Sequence, residues 1–370
     1  MCDFQGGTQP PKNEWILEPQ DGYIRMLQIR DFTQPDKDNV AYVSTKNNLK
    51  TCKTDDILIG RYGASVGKIL TGLEGAYNVA IVKSSPDLEK LSKKYLYYIL
   101  KSDQFQNFVQ NVGSRAAQAG FNMGDLEEFE IPLPSLSEQK VIVAKLDRAQ
   151  RLIDIDREML AKYDELIQSV FLEMFGDPVR NEKGWERKPM NEIGEMKSGG
   201  TPSRKNKEYF TGEIDWYTTG ELESMYLGDA EEKITETAID ESSAKLFEKG
   251  SLLIGMYDTS AFKLGILIGP GSSNQASANI KLDDEICNVE WLYYCLKIMR
   301  PSILHERRGI RQKNLTLGFL KKLEIIMPPL EKQIQFSKFQ NKISDEKKAT
   351  EVSTKKSEEL FSSLVQGAFS

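Results

Sequence analysis

Two mixed α/β (α+β) modules, each followed by a long α-helix, form the architecture this chain predicts, with the two helices packing as an antiparallel coiled coil. Three observations lead there. The sequence repeats itself at a spacing of about 194 residues along most of its length. Within each copy, short apolar runs are punctuated by Gly, Asn, Asp and Pro, which is a strand-and-turn pattern. Each copy then closes on apolar residues recurring at steps of three and four, which is a helical seam.

The matches keep their order. Gly6-Gly7-Thr8 recurs as Gly199-Gly200-Thr201, and Asp56-Ile57-Leu58-Ile59-Gly60 with Tyr62 recurs as Ser251-Leu252-Leu253-Ile254-Gly255 with Tyr257. Tyr95-Leu96-Tyr97-Tyr98 returns as Trp291-Leu292-Tyr293-Tyr294, and Glu130 to Leu136 with Gln139 returns as Glu324 to Leu330 with Gln333. A period this long exceeds the roughly 20 to 50 residues of a solenoid unit, so each copy is a folded domain with an appended helix. The division expected is a first module over residues 1–134, a helix over 135–176, a second module over 177–328 and a second helix over 329–370.

In the first module Asp56 to Gly60, Ala80 to Val82 and Glu128 to Leu133 read as strands; in the second, Gly250 to Ile254, Gly265 to Ile268 and Leu323 to Met327 do. One helix per module is predicted between them, Ser92 to Lys101 and Asn288 to Arg300, from apolar and aromatic residues at helical spacing.

After Pro134, Ser135-Leu-Ser-Glu138 is a capping box that starts a helix. Its seam is Ile142, Leu146, Ala149, Ile153, Leu160, Tyr163, Ile167 and Val170, and Gly176-Asp177-Pro178 stops it. Roughly 40 residues at 1.5 Å rise give a rod of about 55 to 60 Å. The second helix begins at Pro329, a residue suited to a first helical turn. Phe336, Ile343, Phe361 and Leu364 are apolar in its seam, whereas Gln340, Lys347, Thr350, Thr354 and Ser357 are polar. The two helices are therefore expected to pack mainly near their ends. A coiled-coil spacer with no partner would show the same pattern.

Composition excludes several classes of function. The 370 residues suit two or three domains, and a hydrophobic fraction of 39% suffices for a core in each. No apolar run approaches the ~20 residues of a membrane span, and the first residues carry no secretion signal, so a cytoplasmic location is expected. Cys2, Cys52, Cys287 and Cys295 stand far apart and His305 is the single histidine, which argues against a metal cluster, a disulfide framework and histidine-based catalysis. The net charge of −6 argues against a protein that coats nucleic acid indiscriminately, but leaves local basic surfaces open.

No catalytic constellation stands out. Gly63-Ala-Ser-Val-Gly67-Lys68 is not a P-loop, because three residues instead of four separate its glycines and Ile69 follows the lysine. Its counterpart, Asp258 to Gly265, keeps Ser260 and Lys263. Such a loop could present N–H groups and a cation to a phosphodiester, and would equally suit a tight turn between strands. No Asn/Asp-Pro-Pro-aromatic segment of an amino-methyltransferase occurs. The strongest basic cluster is Arg300, His305, Arg307, Arg308, Arg311 and Lys313, with Gln312 among them. Its counterpart holds Arg115 and Gln118. Arginine and glutamine can each bond two atoms on a base edge in the major groove, which makes these segments candidate DNA contacts. Further candidates are Arg25, Gln28, Arg30, Arg61, Tyr62, Ser65 and Lys68, and in the second copy Tyr217, Thr218, Thr219, Tyr257, Ser260 and Lys263. A solvated basic loop would look the same.

A tandem of two differing α/β modules, each followed by a similar long helix, resembles the specificity (S) subunit of Type I restriction-modification enzymes. The likeness covers nearly the whole chain. It rests on Gly199-Gly200-Thr201-Pro202, on Gly60 to Lys68, on Tyr77-Asn78-Val-Ala80 with Ser273-Asn274-Gln275-Ala276, and on Ile131-Pro-Leu-Pro134-Ser-Leu-Ser-Glu-Gln139 with its echo at Gln333. The resemblance implies a non-catalytic subunit in which each module is a target recognition domain reading one half of a split DNA target, with the helices setting the spacer. It also implies two modification (M) subunits carrying S-adenosylmethionine, and restriction (R) subunits using ATP and Mg where the complex has them. This chain would bind no cofactor itself. The helix seams and neighbouring module faces would meet the M subunits. A coiled-coil adaptor that never reads DNA, or an orphan inactive S-like subunit, is the alternative.

The copies differ at one end. Gly184-Trp185-Glu-Arg-Lys-Pro-Met-Asn-Glu-Ile193 precedes the second Gly-Gly-Thr, whereas the first follows almost directly on Met1. The first module is expected to lack this opening segment, through truncation or supply from elsewhere in the fold. Most loop residues also differ between copies, which predicts an asymmetric target.

Overall fold

The computed structural model describes residues 1–34, 40–114, 120–257, 260–308 and 315–369, with the backbone alone at 113–114 and 306–308. It divides into two compact units, Met1–Glu158 with Glu351–Ser370, and Met159–Thr350. The boundary falls inside both long helices, because each half-helix packs on the module nearest to it.

The first unit builds its core on an antiparallel sheet in the order Cys2–Gly6, Ile81–Pro86, Ile57–Gly60, Ile69–Leu70. Ile57, Ile59 and Val82 face Leu96, Ile99 and Leu100 of the helix Lys93–Lys101. Ser92 caps that helix by accepting from the Tyr95 N–H at 3.2 Å. A second sheet runs Tyr42–Ser44, Tyr23–Leu27, Gly75–Tyr77, Thr51–Cys52, with Tyr23–Leu27 parallel to Gly75–Tyr77. The helix Asp103–Ser114 follows, its Phe105 and Val109 buried a turn apart.

The second unit repeats this plan with additions. Its main sheet runs Gly194–Ser198, Ser277–Leu282, Leu252–Gly255, Leu264–Leu267, Tyr226–Leu227, and a smaller one runs Glu232–Ile234, Ile214–Tyr217, Gly271–Ser273. The core gathers Leu252, Ile254, Ile280, Trp291, Leu292 and Leu296. Burial at this density, at about 25 cal/mol per Å² of apolar surface, is what holds each unit together.

Four expectations need correction. Glu128 to Leu133 forms no strand, whereas its counterpart Glu324–Ile326 pairs antiparallel with Arg187–Pro189. A strand exists only where it has a ladder partner, and among the described residues of the first unit none pairs with Glu128 to Leu133 as Arg187–Pro189 pairs with Glu324–Ile326. The helix expected to stop at Arg300 runs from Val289 to Arg308 through Pro301, held by the burial of Ile303. The glycine match is shifted by one: Gly7 donates to Ile81 O and Gly199 to Ser277 O, each at 3.0 Å, so Gly7 and Gly199 correspond. A Cβ at either would overlap two carbonyl oxygens, those of Tyr77 and Asn78 or of Ser273 and Asn274.

The fourth concerns the long helices, Leu136–Phe175 and Leu330–Phe369. In each unit their contacts run antiparallel, and they are not confined to apolar ends. In the second unit Phe171 and Phe175 meet Phe336 at ring separations of 5.3 and 5.8 Å, and further along Lys347 pairs with Asp164 at 2.8 Å. In the first, Leu146 packs with Val365 and Phe369, and Arg157 bonds Glu358 at 2.6 Å. Ion pairs thus continue the contact where the second seam turns polar. No described helix is long and apolar enough to cross a membrane.

Candidate nucleic-acid interface

The Gly60–Lys68 loop and its counterpart close in the same way. Gly60 N–H donates to Lys68 O and Gly255 N–H to Lys263 O, both at 2.8 Å. Returning bonds run from Gly67 to Gly60 at 2.9 Å and from Phe262 to Gly255 at 2.7 Å. Lys68 and Lys263 N–H donate to Ser65 and Ser260 carbonyls at 3.1 and 3.0 Å. These N–H groups are spent inside the loop, which closes it as a tight turn. Gly67 takes φ +78°, and Phe262 takes φ +60° at the same place, a strained conformation for a side chain that is held by complete burial of its ring.

Each turn presents one aromatic outward. Tyr62 and Tyr257 are both 37% exposed. Arg61 is committed behind Tyr62: its Nε donates to Phe121 O at 2.9 Å, its Nη2 to Asn122 Oδ1 at 3.0 Å, and its guanidinium lies 4.8 Å from the Tyr62 ring centroid. Lys68 is exposed and its side chain has no partner among the described residues. Lys263 instead reaches Gly220 O and Glu223 Oε1, each at 3.3 Å. Ser65 and Ser260 are half-buried within their turns.

A second pair of matching positions follows the central strands. Gln28 and Thr218 are N-caps with complete capping boxes, closed by Asp31 and Glu221. Arg25 donates to the same Asp31 at 2.9 Å, which turns it toward the cap. Arg30 is exposed on the short helix Ile29–Thr33, and Thr219 is half-buried. Tyr217 must be withdrawn as a surface contact: it is 4% exposed, packs with Leu227 and Leu253, and donates to Gly228 O at 2.7 Å. Strand register turned its ring inward. Arg115, Gln118, Arg307, Arg308, Arg311, Gln312 and Lys313 lie outside the described residues or side chains.

One cation escaped the sequence reading, Lys297, which stands on the helix Val289–Arg308 a turn before Arg300 of the basic cluster. Lys297 and Arg300 line a cavity of about 340 Å³ with Lys263 and a single carboxylate, Glu223. Arg300 Nε is buried without a hydrogen-bond partner among the described residues. Their spacing of three on one helix was the available signal. By contrast, in the larger cavity of the first unit, about 740 Å³, two of the three lining cations are paired, Lys93 with Asp55 and Asp56 and Lys94 with Asp147, while Arg151 forms no ion pair among the described residues. Arg204 is likewise occupied, lying 4.3 Å from the Phe210 ring and bonded to Glu232, whose carboxyl that bond holds below its usual range.

The predicted helix-seam residues lie in both units. Leu146, Ala149, Ile153 and Ile167 are buried, as is Phe336; Ile142, Leu160, Tyr163, Val170, Ile343, Phe361 and Leu364 are half-buried. Among the described residues no group of three or more His, Cys, Asp and Glu could hold a metal ion.

The family model described as Type I restriction modification DNA specificity domain matches residues 1–162 and 182–360. The MjaIX specificity subunit of Methanocaldococcus jannaschii is 35% identical over 191 residues, 48% of this chain and 43% of that protein. The putative MjaX specificity subunit of the same organism is 25% identical over 277 residues, 70% of this chain and 63% of that protein. The chain thus spans less than two thirds of the length of either relative. A chain from a structural study of complex assembly and conformational transition in the type I R-M system is 16% identical with a TM-score of 0.63, covering 99% of this chain and 97% of that one. The S subunit of a type I system from M. genitalium gives a TM-score of 0.55 at 16% identity, over 100% and 94% of the two chains. These two show a shared fold.

Proposed function

Because the chain belongs to the family of Type I restriction modification DNA specificity domains, we propose that it is the DNA sequence-recognition subunit of a Type I restriction-modification complex. Each unit reads one half of a split target, and the long helices set the gap between halves. One observation carries this reading: the two units hold the same turn and cap geometry while differing in the side chains that the frame presents. Lys68 has no side-chain partner among the described residues where Lys263 is paired, and Gln28 stands where Thr218 does. An identical frame with different side chains selects different bases, so the target is asymmetric.

The complex would supply what this chain does not. Two M subunits carrying S-adenosylmethionine dock on the helices and flanking module faces and perform adenine methylation; R subunits, where present, use ATP and Mg. The chain itself contributes binding and register, with no covalent step. The decisive test compares adenine methylation across the genome in cells carrying this chain with its neighbouring M subunit and in cells carrying the M subunit alone. A split motif that appears only with this chain supports the reading. Unchanged methylation in cells where both proteins assemble overturns it.

A further inference from the structure

The helix Val289–Arg308 runs unbroken where its counterpart in the first unit ends at Lys101 and a further helix starts at Asp103. Continuity sets Lys297 and Arg300, three residues apart, on one face of that helix. Both line the cavity of about 340 Å³ with Lys263 and Glu223. Lys263 already reaches Glu223 at 3.3 Å, so the one lining carboxylate is taken. Arg300 forms no ion pair or hydrogen bond among the described residues, and its Nε is buried. Burial removes the water that would otherwise bond a guanidinium N–H, so an empty acceptor position is costly there. Lys297 has no ion pair among the described residues either, its ammonium lying 5.5 Å from the Tyr294 ring centroid. The first unit holds Lys101 and Gln104 at the equivalent positions, and Lys101 donates to the Tyr97 hydroxyl at 3.1 Å.

We propose that this cavity binds one phosphate group, with Arg300 and Lys297 as its donors and no equivalent site in the first unit. A guanidinium presents a planar fork that matches two phosphate oxygens, and an ammonium adds a point charge beside it. Two uncompensated cations suit a phosphate ester, which carries up to about two negative charges. The same charges disfavour a metal ion. Leu222, Phe262 and Leu264 form buried apolar walls, which suits a phosphate carried on a sugar better than a fully hydrated inorganic ion. Two sources share that chemistry, the backbone of duplex DNA and a free sugar phosphate. A backbone contact positions DNA without reading its sequence, so in the first case the second unit carries an anchor that the first unit lacks. That case rests on the DNA-reading role proposed above; the site itself does not.

The test follows the Arg300 Nε–H signal in nitrogen-15 NMR spectra of the full chain, assigned by its loss in Arg300→Lys, as deoxyribose 5-phosphate or a short DNA duplex of arbitrary sequence is added. The expected result is a saturable shift with deoxyribose 5-phosphate, its affinity weakened about fivefold or more by Lys297→Gln. Lys297 is exposed, so its replacement leaves the core intact, and Lys101→Gln in the first unit should leave the affinity unchanged. A shift with the duplex as well, and a salt slope of log affinity lowered by about 0.9 in Arg300→Gln, identifies the DNA backbone as the source. A shift with deoxyribose 5-phosphate alone identifies a free sugar phosphate. No saturable shift with either probe, or equal affinity in Lys297→Gln, overturns the proposal. Duplex binding that persists in that event leaves the DNA-reading role standing, so the two failures are told apart.

Discussion

Gln139 accepts a hydrogen bond from the Ser92 N–H at 2.9 Å through its side-chain oxygen, and so joins the start of the long helix to the N-cap of the helix before it. Its amide donates to Pro134 O at 3.0 Å and Lys90 O at 2.7 Å. Gln333 repeats the arrangement, accepting from Asn288 N–H at 2.9 Å and donating to Pro328 O at 2.8 Å. Both glutamines are completely buried. Each therefore satisfies main-chain groups at a helix entry that has no other access to water.

Replacing Gln139 by Leu keeps the volume and orphans one N–H and two carbonyls. At about 1–3 kcal/mol for each buried group left unsatisfied, a loss of several kcal/mol is expected. Urea unfolding should show a lower midpoint, with Gln333→Leu producing a comparable loss. A midpoint unchanged by either substitution would mean that water reaches these groups.

Gly199→Ala should destabilise more than its single methyl suggests. The added Cβ overlaps the Ser273 and Asn274 carbonyl oxygens, and main chain in a sheet cannot step aside as a flexible side chain can. Gly7→Ala meets the same obstacle at Tyr77 and Asn78. By comparison, Gly228→Ala meets nothing within 4 Å and serves as the control. Thermal unfolding of the three variants checks the order.

What the sequence disclosed was whatever depends on neighbours along the chain. The heptad steps, the Ser135–Glu138 capping box and the recurrence of Gln139 at Gln333 are local or repeated signals, and the Glu138 carboxylate does accept from the Ser135 N–H at 2.9 Å. What it concealed depends on distant partners. Glu128 to Leu133 looks like a strand but has no ladder partner among the described residues. Tyr217 looks like a surface tyrosine until strand register buries it. Pro301 suggests a helix end, yet the burial of Ile303 carries the helix past it. Phe262 holds a glycine-like φ because its ring is buried, which no local pattern announces.

Core and surface contacts between the long helices should differ sharply in weight. Phe336→Ala removes a fully buried ring that touches Phe171 and Phe175, and about 3–5 kcal/mol is expected to be lost. Glu358→Ala breaks an exposed pair with Arg157, where less than about 1 kcal/mol is expected. Chemical denaturation of both variants tests this, and similar losses would contradict the packing described.

If DNA lies against the outward turns, Lys68→Ala and a paired Lys297→Ala, Arg300→Ala substitution should weaken binding for all sequences alike. Each phosphate contact removed lowers the salt slope of log affinity by about 0.9. Tyr62→Ala or Tyr257→Ala, at exposed positions, should instead change preference within one half of the target. Titrations at several salt concentrations separate the two behaviours. Affinity and slope left intact by the cationic substitutions would remove Lys68, Lys297 and Arg300 from the interface.

Acid should loosen the first unit before the second. Burial would raise the Asp56 carboxyl, but bonds from Lys93, from the Lys53 N–H and from Lys83 outweigh it and bring it to about 2, against an ordinary 3.8. The folded value is the lower one, so this stabilisation is complete above about pH 4 and is lost as pH falls through 4 toward 2. Its size is about 2 kcal/mol at roughly 1.4 kcal/mol per pH unit, appropriate for a side chain 12% exposed. The second unit places Ser251, uncharged, at the equivalent position. Hydrogen exchange should therefore accelerate between pH 4 and 2, after correction for intrinsic rates, at Ile57–Gly60 and not at Leu252–Gly255. Asp56→Asn should lower stability at neutral pH, leaving Lys83 without a carboxylate and Lys93 with Asp55 alone, and should flatten the acid response of the first unit. An acid response that persists in this variant would assign it to other carboxylates.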